Sequence, residues 1–241
     1  LFADAAELAA GNHQELEQRH RAKIAAAPQD PMAVLALTDL LAGDGQPDAA
    51  RQAEAQWEAQ ALPPQTPNRI VLCLPMRELM LYQIGDFQAL GQSLTQFPNA
   101  QSDLRGSYAL VTTKARQAAD DPQLARSWST PWGALMLSLA LDLDGEQQAA
   151  AEWRSRAVQR LAGRGYEDRK ASELLRAPAA PAVEAVMDVN LQLGDKLLLL
   201  AAIARRFPES RAAYAPKIEL LNVSRFPPYH LVAKVAAAKA R

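Results

Sequence analysis

The residues able to carry chemistry are few, and each has to be weighed against a structural role. His13, Glu17 and His20 fall at i, i+4 and i+7, on one face of a helix, which is how a metal site on a helix begins. Two histidines seven apart are separated by roughly 10 Å of helical rise, too far to share one ion at bonds of ~2.1 Å. The expectation is therefore packing for both imidazoles, and no metal. Cys73, within Val71-Leu72-Cys73-Leu74-Pro75, has apolar neighbours and no nearby cation. A nucleophilic thiolate needs an electropositive, partly exposed setting, so Cys73 reads as a core residue. His230 follows Pro227-Pro228 and reads as part of a surface turn. There is no Gly-x-Ser-x-Gly elbow, metalloprotease helix, phosphate-cradling Gly-Lys-Ser/Thr loop or dinucleotide glycine pattern. The sequence predicts a protein that is not an enzyme and carries no cofactor.

Asp120-Asp121, Asp142-x-Asp144 and Glu167-Asp168 fall at turns or helix starts, where carboxylates cap exposed N–H groups. Among the four tryptophans, Trp57 and Trp153 lie inside helices and are expected to pack there. Trp128 and Trp132 flank Ser129-Thr130-Pro131 and are the better candidates for a partner-facing surface, although packing is favoured for them too.

The elements that must position these residues follow from composition. Ala and Leu make up about a third of the 241 residues while Val, Ile and Thr are scarce, a bias toward helix. A formal net charge of -1 gives no global reason to bind nucleic acid or an anionic membrane. The longest apolar runs, residues 197–204 and 133–141, fall far short of the ~18 to 20 residues of a membrane span, and the chain reads as soluble. A lone cysteine cannot form an internal disulfide. With Leu1 first and no basic, apolar leader after it, cytoplasm and periplasm both stay open.

A period organises the chain. Leu37, Leu40 and Leu41 precede Gly45, while Ala50 and Trp57 follow it before Pro63-Pro64, which reads as helix, tight turn, helix and stop. Gly11 has Ala6 and Leu16 at the same offsets as Leu40 and Ala50 about Gly45, with Pro28 closing the pair. Gly85, Gly145 and Gly194 extend the series with drift: Tyr82-Gln83-Ile84-Gly85-Asp86 is echoed by Leu191-Gln192-Leu193-Gly194-Asp195, and Phe97-Pro98 by Phe207-Pro208. The gap between Gly85 and Gly145 leaves room for an extra pair, a helix over 103–119, a break at Asp120-Asp121-Pro122 and a short second helix. Past Pro208 a last helix over 229–240 is expected to cap the open end.

The turn glycines, the small residues Ala6, Ala50, Ala140 and Ala150 at close helix contacts, and the closing prolines resemble the tetratricopeptide repeat family. The likeness is good over residues 3–64 and looser beyond. The usual tryptophan-leucine-glycine opening is missing, and three of the four glycine spacings exceed the family's period. The resemblance implies an all-α fold, a right-handed superhelix (solenoid) of about five to six helical hairpins over 1–208, with 209–241 as capping helices of the same domain. It also implies aromatic-type packing positions for His13 and His20.

The function this implies is a non-enzymatic scaffold holding a peptide or protein in a groove lined mainly by the first helix of each hairpin. Candidate partner-binding residues are Asn68, Arg69 and Arg77 in the third hairpin's first helix, Asn190 four before Gly194, the pair Trp128 and Trp132, and Arg205 and Arg206. The last two belong to a charge asymmetry: residues 1–66 carry ten acidic and four basic side chains, residues 205–241 eight basic and two acidic. A basic end of Arg205, Arg206, Arg211, Lys217, Arg225, Lys234 and Lys239 is expected to steer an acidic partner or to pair with the acidic end of a second copy, in either case weakening with salt. The alternative is a divergent helical enzyme or small-ligand-binding protein with a pocket closed by residues 99–131 and the C-terminal tail.

Overall fold

The computed structural model describes residues 11–61, 67–96 and 104–222; Ala6, Pro63, Pro64, Pro98, His230 and the expected cap over 229–240 lie outside them, as do the side chains of Asn68, Arg69 and Cys73. Among the described residues the fold is all-α: fourteen α-helices, two short 3-10 segments and no strand. No described helix is long and apolar enough to cross a membrane. The chain divides into two compact units, residues 1–104 and 105–241.

The first unit contains α1 (His13–Ala26), α2 (Pro31–Gly43), α3 (Pro47–Ala61), α4 (Pro67–Ile84) and α5 (Phe87–Gln96). Asp30 starts α2 by accepting the Met32 N–H at 2.9 Å, with Pro31 at the first helical position where its missing N–H is harmless. The body of α2 is apolar apart from Thr38 and Asp39 because α1, α3 and α4 all pack against it. Helix α3 buries one stripe, Ala50, Glu54 and Trp57.

Gly45 closes α2 with φ +73°, and the Gln46 N–H bonds back to the Leu41 carbonyl at 2.9 Å while the Gly45 N–H reaches Ala42. The same left-handed closure recurs at Gly85 (φ +80°) and Gly145 (φ +86°). A Cβ at any of the three would meet nothing within 4 Å, so alanine is opposed by backbone conformation alone. Replacing any one by Ala is expected to lower stability by about 1 kcal/mol, with Asn in between, in equilibrium urea unfolding.

The second unit holds α6 (Leu104–Thr112), α7 (Ala115–Asp120), α8 (Ala125–Ser129), α9 (Pro131–Leu143), α10 (Gln147–Ala162), α11 (Tyr166–Arg176), α12 (Val183–Met187), α13 (Leu193–Arg206) and α14 (Arg211–Asn222). Its centre is α9, buried at every position from Pro131 to Leu141 and packed against α7, α8, α10 and α13. Where α9 meets α10 the backbones are close enough for the Ser138 hydroxyl to donate to the Ala150 carbonyl at 2.7 Å, and Ser172 does the same from α11 to Val158 at 2.9 Å. Ala50 and Ala150 are both fully buried, and Ala150→Leu is expected to lower stability by ~1 to 3 kcal/mol, since the extra methylenes have no room; a thermal melt checks this.

Two sequence expectations change here. The helix expected over 103–119 breaks at Thr113-Lys114. The Thr112 and Thr113 hydroxyls bond back to the carbonyls of Tyr108 and Ala109, and a carboxylate from elsewhere, Asp144, accepts the Ala115 N–H at 2.8 Å and starts a new helix. Gly194 is no turn glycine but lies buried in the first turn of α13. Pro178 and Pro181 interrupt the chain before it, so the preceding helix is the five-residue α12 and there is no long helix for a glycine to close. That irregular stretch is held by the Tyr214 hydroxyl on the Pro181 carbonyl (2.6 Å) and Lys196 Nζ on the Met187 carbonyl (2.7 Å).

Candidate functional site

Of the acidic residues expected at turns and helix starts, Asp142, Asp144 and Glu167 reach across to other elements, while Asp120, Asp121 and Asp168 make local contacts. Asp44 and Asp144 each stand one residue before a turn glycine and contact the first residue of an earlier helix: His13 Nδ1 donates to Asp44 at 2.6 Å, and the Ala115 N–H to Asp144. His13 therefore serves as a half-exposed polar tie, while His20 is buried. Glu167 accepts the Asn190 N–H at 2.9 Å, and Asp121 caps locally, on Gln123.

The residues expected to meet a partner are dispersed. Asn68 and Arg69 lie at the start of α4. Arg77 is half-buried and ion-paired with Glu54 (3.4 Å) and Glu58 (3.1 Å) of α3. Trp128 and Trp132 are 2% and 7% exposed, with the Trp128 indole N–H on the Ala118 carbonyl at 2.9 Å, so neither ring offers a binding platform. Asn190 is exposed, in the loop before α13 instead of in a hairpin's first helix. Arg205 is paired with Asp142 and tied to the same residue's carbonyl. In the basic end, Arg225, Lys234 and Lys239 lie outside the described residues.

Arg206 opens onto a cleft. Ala151, Arg154, Ser155, Val158 and Gln159, three or four residues apart along one face of α10, form its floor, with Leu175 and Arg176 from the end of α11 and Arg206 from the end of α13 as its other wall. The cleft is open to solvent and holds about 500 Å³. Three guanidinium groups line it, and among the described residues none of them has a carboxylate partner. Arg206 is positioned by a bond to the Leu175 carbonyl and by the Phe207 ring, 4.9 Å from its guanidinium carbon. Burial, and then the charge of Arg154, push the Arg206 pKa down. An anion in the cleft opposes both, since an opposite charge favours the protonated guanidinium.

Arg154 and Arg176 were not legible as site residues. Helix α10 also carries Arg156, stacked over Trp153 at 4.5 Å, and Arg160, which donates to the Trp128 carbonyl at 2.6 Å. Helical spacing sets Arg154 about 200° round from Arg156 and well away from Arg160, but only the tertiary partners show which side of α10 faces a cleft.

The first unit has a smaller, mainly apolar groove of about 220 Å³ lined by Ile24, Val34, Leu37, Ala53 and Trp57 among others. Among the described residues no three His, Cys, Asp or Glu side chains are grouped to hold a metal. Comparison with protein-family models, curated proteins and solved structures finds no match for the chain.

Proposed function

We propose that the chain is a non-enzymatic interaction scaffold built from divergent tetratricopeptide-like helix pairs, and that its protein partner presents an acidic segment to the cleft between α10, α11 and α13. The arginine cleft carries this reading: three guanidinium groups that have no carboxylate partner among the described residues, in an open groove with apolar walls at Ala151, Val158 and Leu175, suit an extended anionic chain. The repeated packing supports the scaffold part. Helix α2 contacts α1, α3 and α4, α9 contacts α10, and three turns share one glycine closure.

The expected groove along the first helices needs one revision. Helix α9 is covered on all sides, so in the second unit the partner face falls on the second helix of the pair, α10. Titrating the full chain with an aspartate- and glutamate-rich peptide tests the reading: saturable one-to-one binding that weakens as salt rises is expected, and no binding at low salt overturns it. A stacked array also requires a radius of gyration several ångström above the ~18 Å of a globule this long, measurable by small-angle scattering on the monomer.

A further inference from the structure

We propose, resting on the scaffold reading, that the arginine cleft selects a phosphorylated segment of the partner, with a phosphomonoester dianion seated among Arg154, Arg176 and Arg206. The charge count separates this from simple acidity. A single carboxylate brings one negative charge and two oxygens, so an acidic segment matches three guanidinium groups only by holding two or more side chains at once. A phosphomonoester at neutral pH carries roughly -1.5 to -2 and three terminal oxygens, one for each guanidinium.

The site is also partly preorganised for such a group. Arg206 is held by the Leu175 carbonyl beneath it and by the Phe207 ring, and Arg154 sits close enough for their charges to repel. A dianion between them replaces that repulsion with attraction. Two basic groups elsewhere on the same helices are already engaged: Arg160 of α10 on the Trp128 carbonyl and Arg205 of α13 on Asp142. At about 500 Å³ the cleft is far larger than one phosphate group, within the ~300 to 1,000 Å³ of sites that bury an organic ligand. Val158, Leu175 and Ala151 supply the apolar wall for residues flanking the phosphate, and Ser155 and Gln159 supply hydrogen-bonding groups for a peptide backbone.

The experiment is calorimetric titration of the full chain, at constant ionic strength, with four probes: a phosphoserine pentapeptide, the same peptide with glutamate at that position, O-phosphoserine and inorganic phosphate. The phosphopeptide is expected to bind at least tenfold more tightly than the glutamate peptide and than inorganic phosphate, and to weaken as pH falls below ~6, where the second phosphate proton returns. Arg154→Gln and Arg176→Gln, each leaving the Arg206 anchor intact, are expected to weaken it about tenfold each without lowering the melting temperature. Equal binding of the phospho and glutamate peptides overturns the phosphate assignment and leaves the acidic-partner reading standing. Equal binding of phosphopeptide and inorganic phosphate assigns the site to a free ion and overturns the segment. Phosphopeptide binding unchanged in both variants removes the cleft from the proposal, and binding by no probe overturns both readings.

Discussion

Gly133→Ala is expected to remove about 3 kcal/mol from the second unit, the upper end for overpacking, because the new methyl has to occupy space held by backbone. A Cβ on Gly133 would lie 2.0 Å from the Ser127 carbonyl oxygen and 2.7 Å from Thr130 Oγ1. Neither yields easily. The Thr130 hydroxyl caps α9 by accepting the Gly133 N–H at 3.0 Å. The Ser127 carbonyl belongs to α8, where the adjacent Trp128 is tied through its indole to Ala118 and through its carbonyl to Arg160. Relief therefore means moving α8 away from α9 and opening the core around Trp128. Gly145→Ala, with nothing in its way, is the control at about 1 kcal/mol. Urea unfolding of the two variants side by side checks the ranking, and equal losses would mean that α8 does not sit against α9 as described.

The second large effect is a loss of stability as pH rises from 5 to 8, opposite to the behaviour of most salt-bridged carboxylates. Glu54 is pushed up to about 7 by burial first, then by the charges of Glu58 and Asp86, with Arg77 pulling the other way. Asp195 is raised to about 7 by burial and Asp168, against Arg164. A carboxyl whose folded pKa exceeds its unfolded value binds more protons folded than unfolded. Stability is then fully present below the ordinary carboxyl range and is lost as pH climbs through about 7. At ~1.4 kcal/mol per pKa unit, each group contributes of order 2 to 3 kcal/mol to that loss. Since Glu54 lies in the first unit and Asp195 in the second, Glu54→Gln and Asp195→Asn are expected to flatten the pH dependence of melting separately. A wild-type profile that stays level or rises between pH 5 and 8 contradicts the burial of these carboxyls.

Much of this frame was legible in the sequence, because its signals are local. The all-α class follows from Ala and Leu content, and Gly45, Gly85 and Gly145 end helices where a residue able to take positive φ stood between apolar runs. Ala50 and Ala150 are buried where small residues were required. What escaped depends on partners distant in sequence. Thr113 and Lys114 sit in a stretch of acceptable helix formers, and the break there is fixed by Asp144, 29 residues away from Ala115. Gly194 shares its phrase with Gly85, yet Pro178 and Pro181 upstream decide that no long helix precedes it. Gly133 looks like a weak point in a helix and is a contact point for α8.

The candidate site was legible only at Arg206. Its neighbour Arg205 has the same residue type and the same local sequence, but one helical step turns it onto Asp142 and leaves Arg206 facing the cleft. Arg77 is polar in an apolar helix, a pattern that a binding residue shares with one that anchors Glu54 and Glu58 between two helices. Trp128 and Trp132 flank a turn in sequence; Ser129 and Thr130 in that turn are exposed, while both rings turn into the core around α9.

The most direct test of the scaffold function is quantitative affinity capture with the full chain from extracts of its native host, followed by titration of the enriched protein, in purified form, against wild-type chain and the Arg154→Gln/Arg176→Gln double variant. The predicted result is saturable one-to-one binding to the wild type that falls at least tenfold in the double variant and with rising salt. A purified candidate that binds both chains equally at low and high salt would contradict the arginine cleft as the partner face, and the absence of any protein that binds once purified would contradict the scaffold function itself.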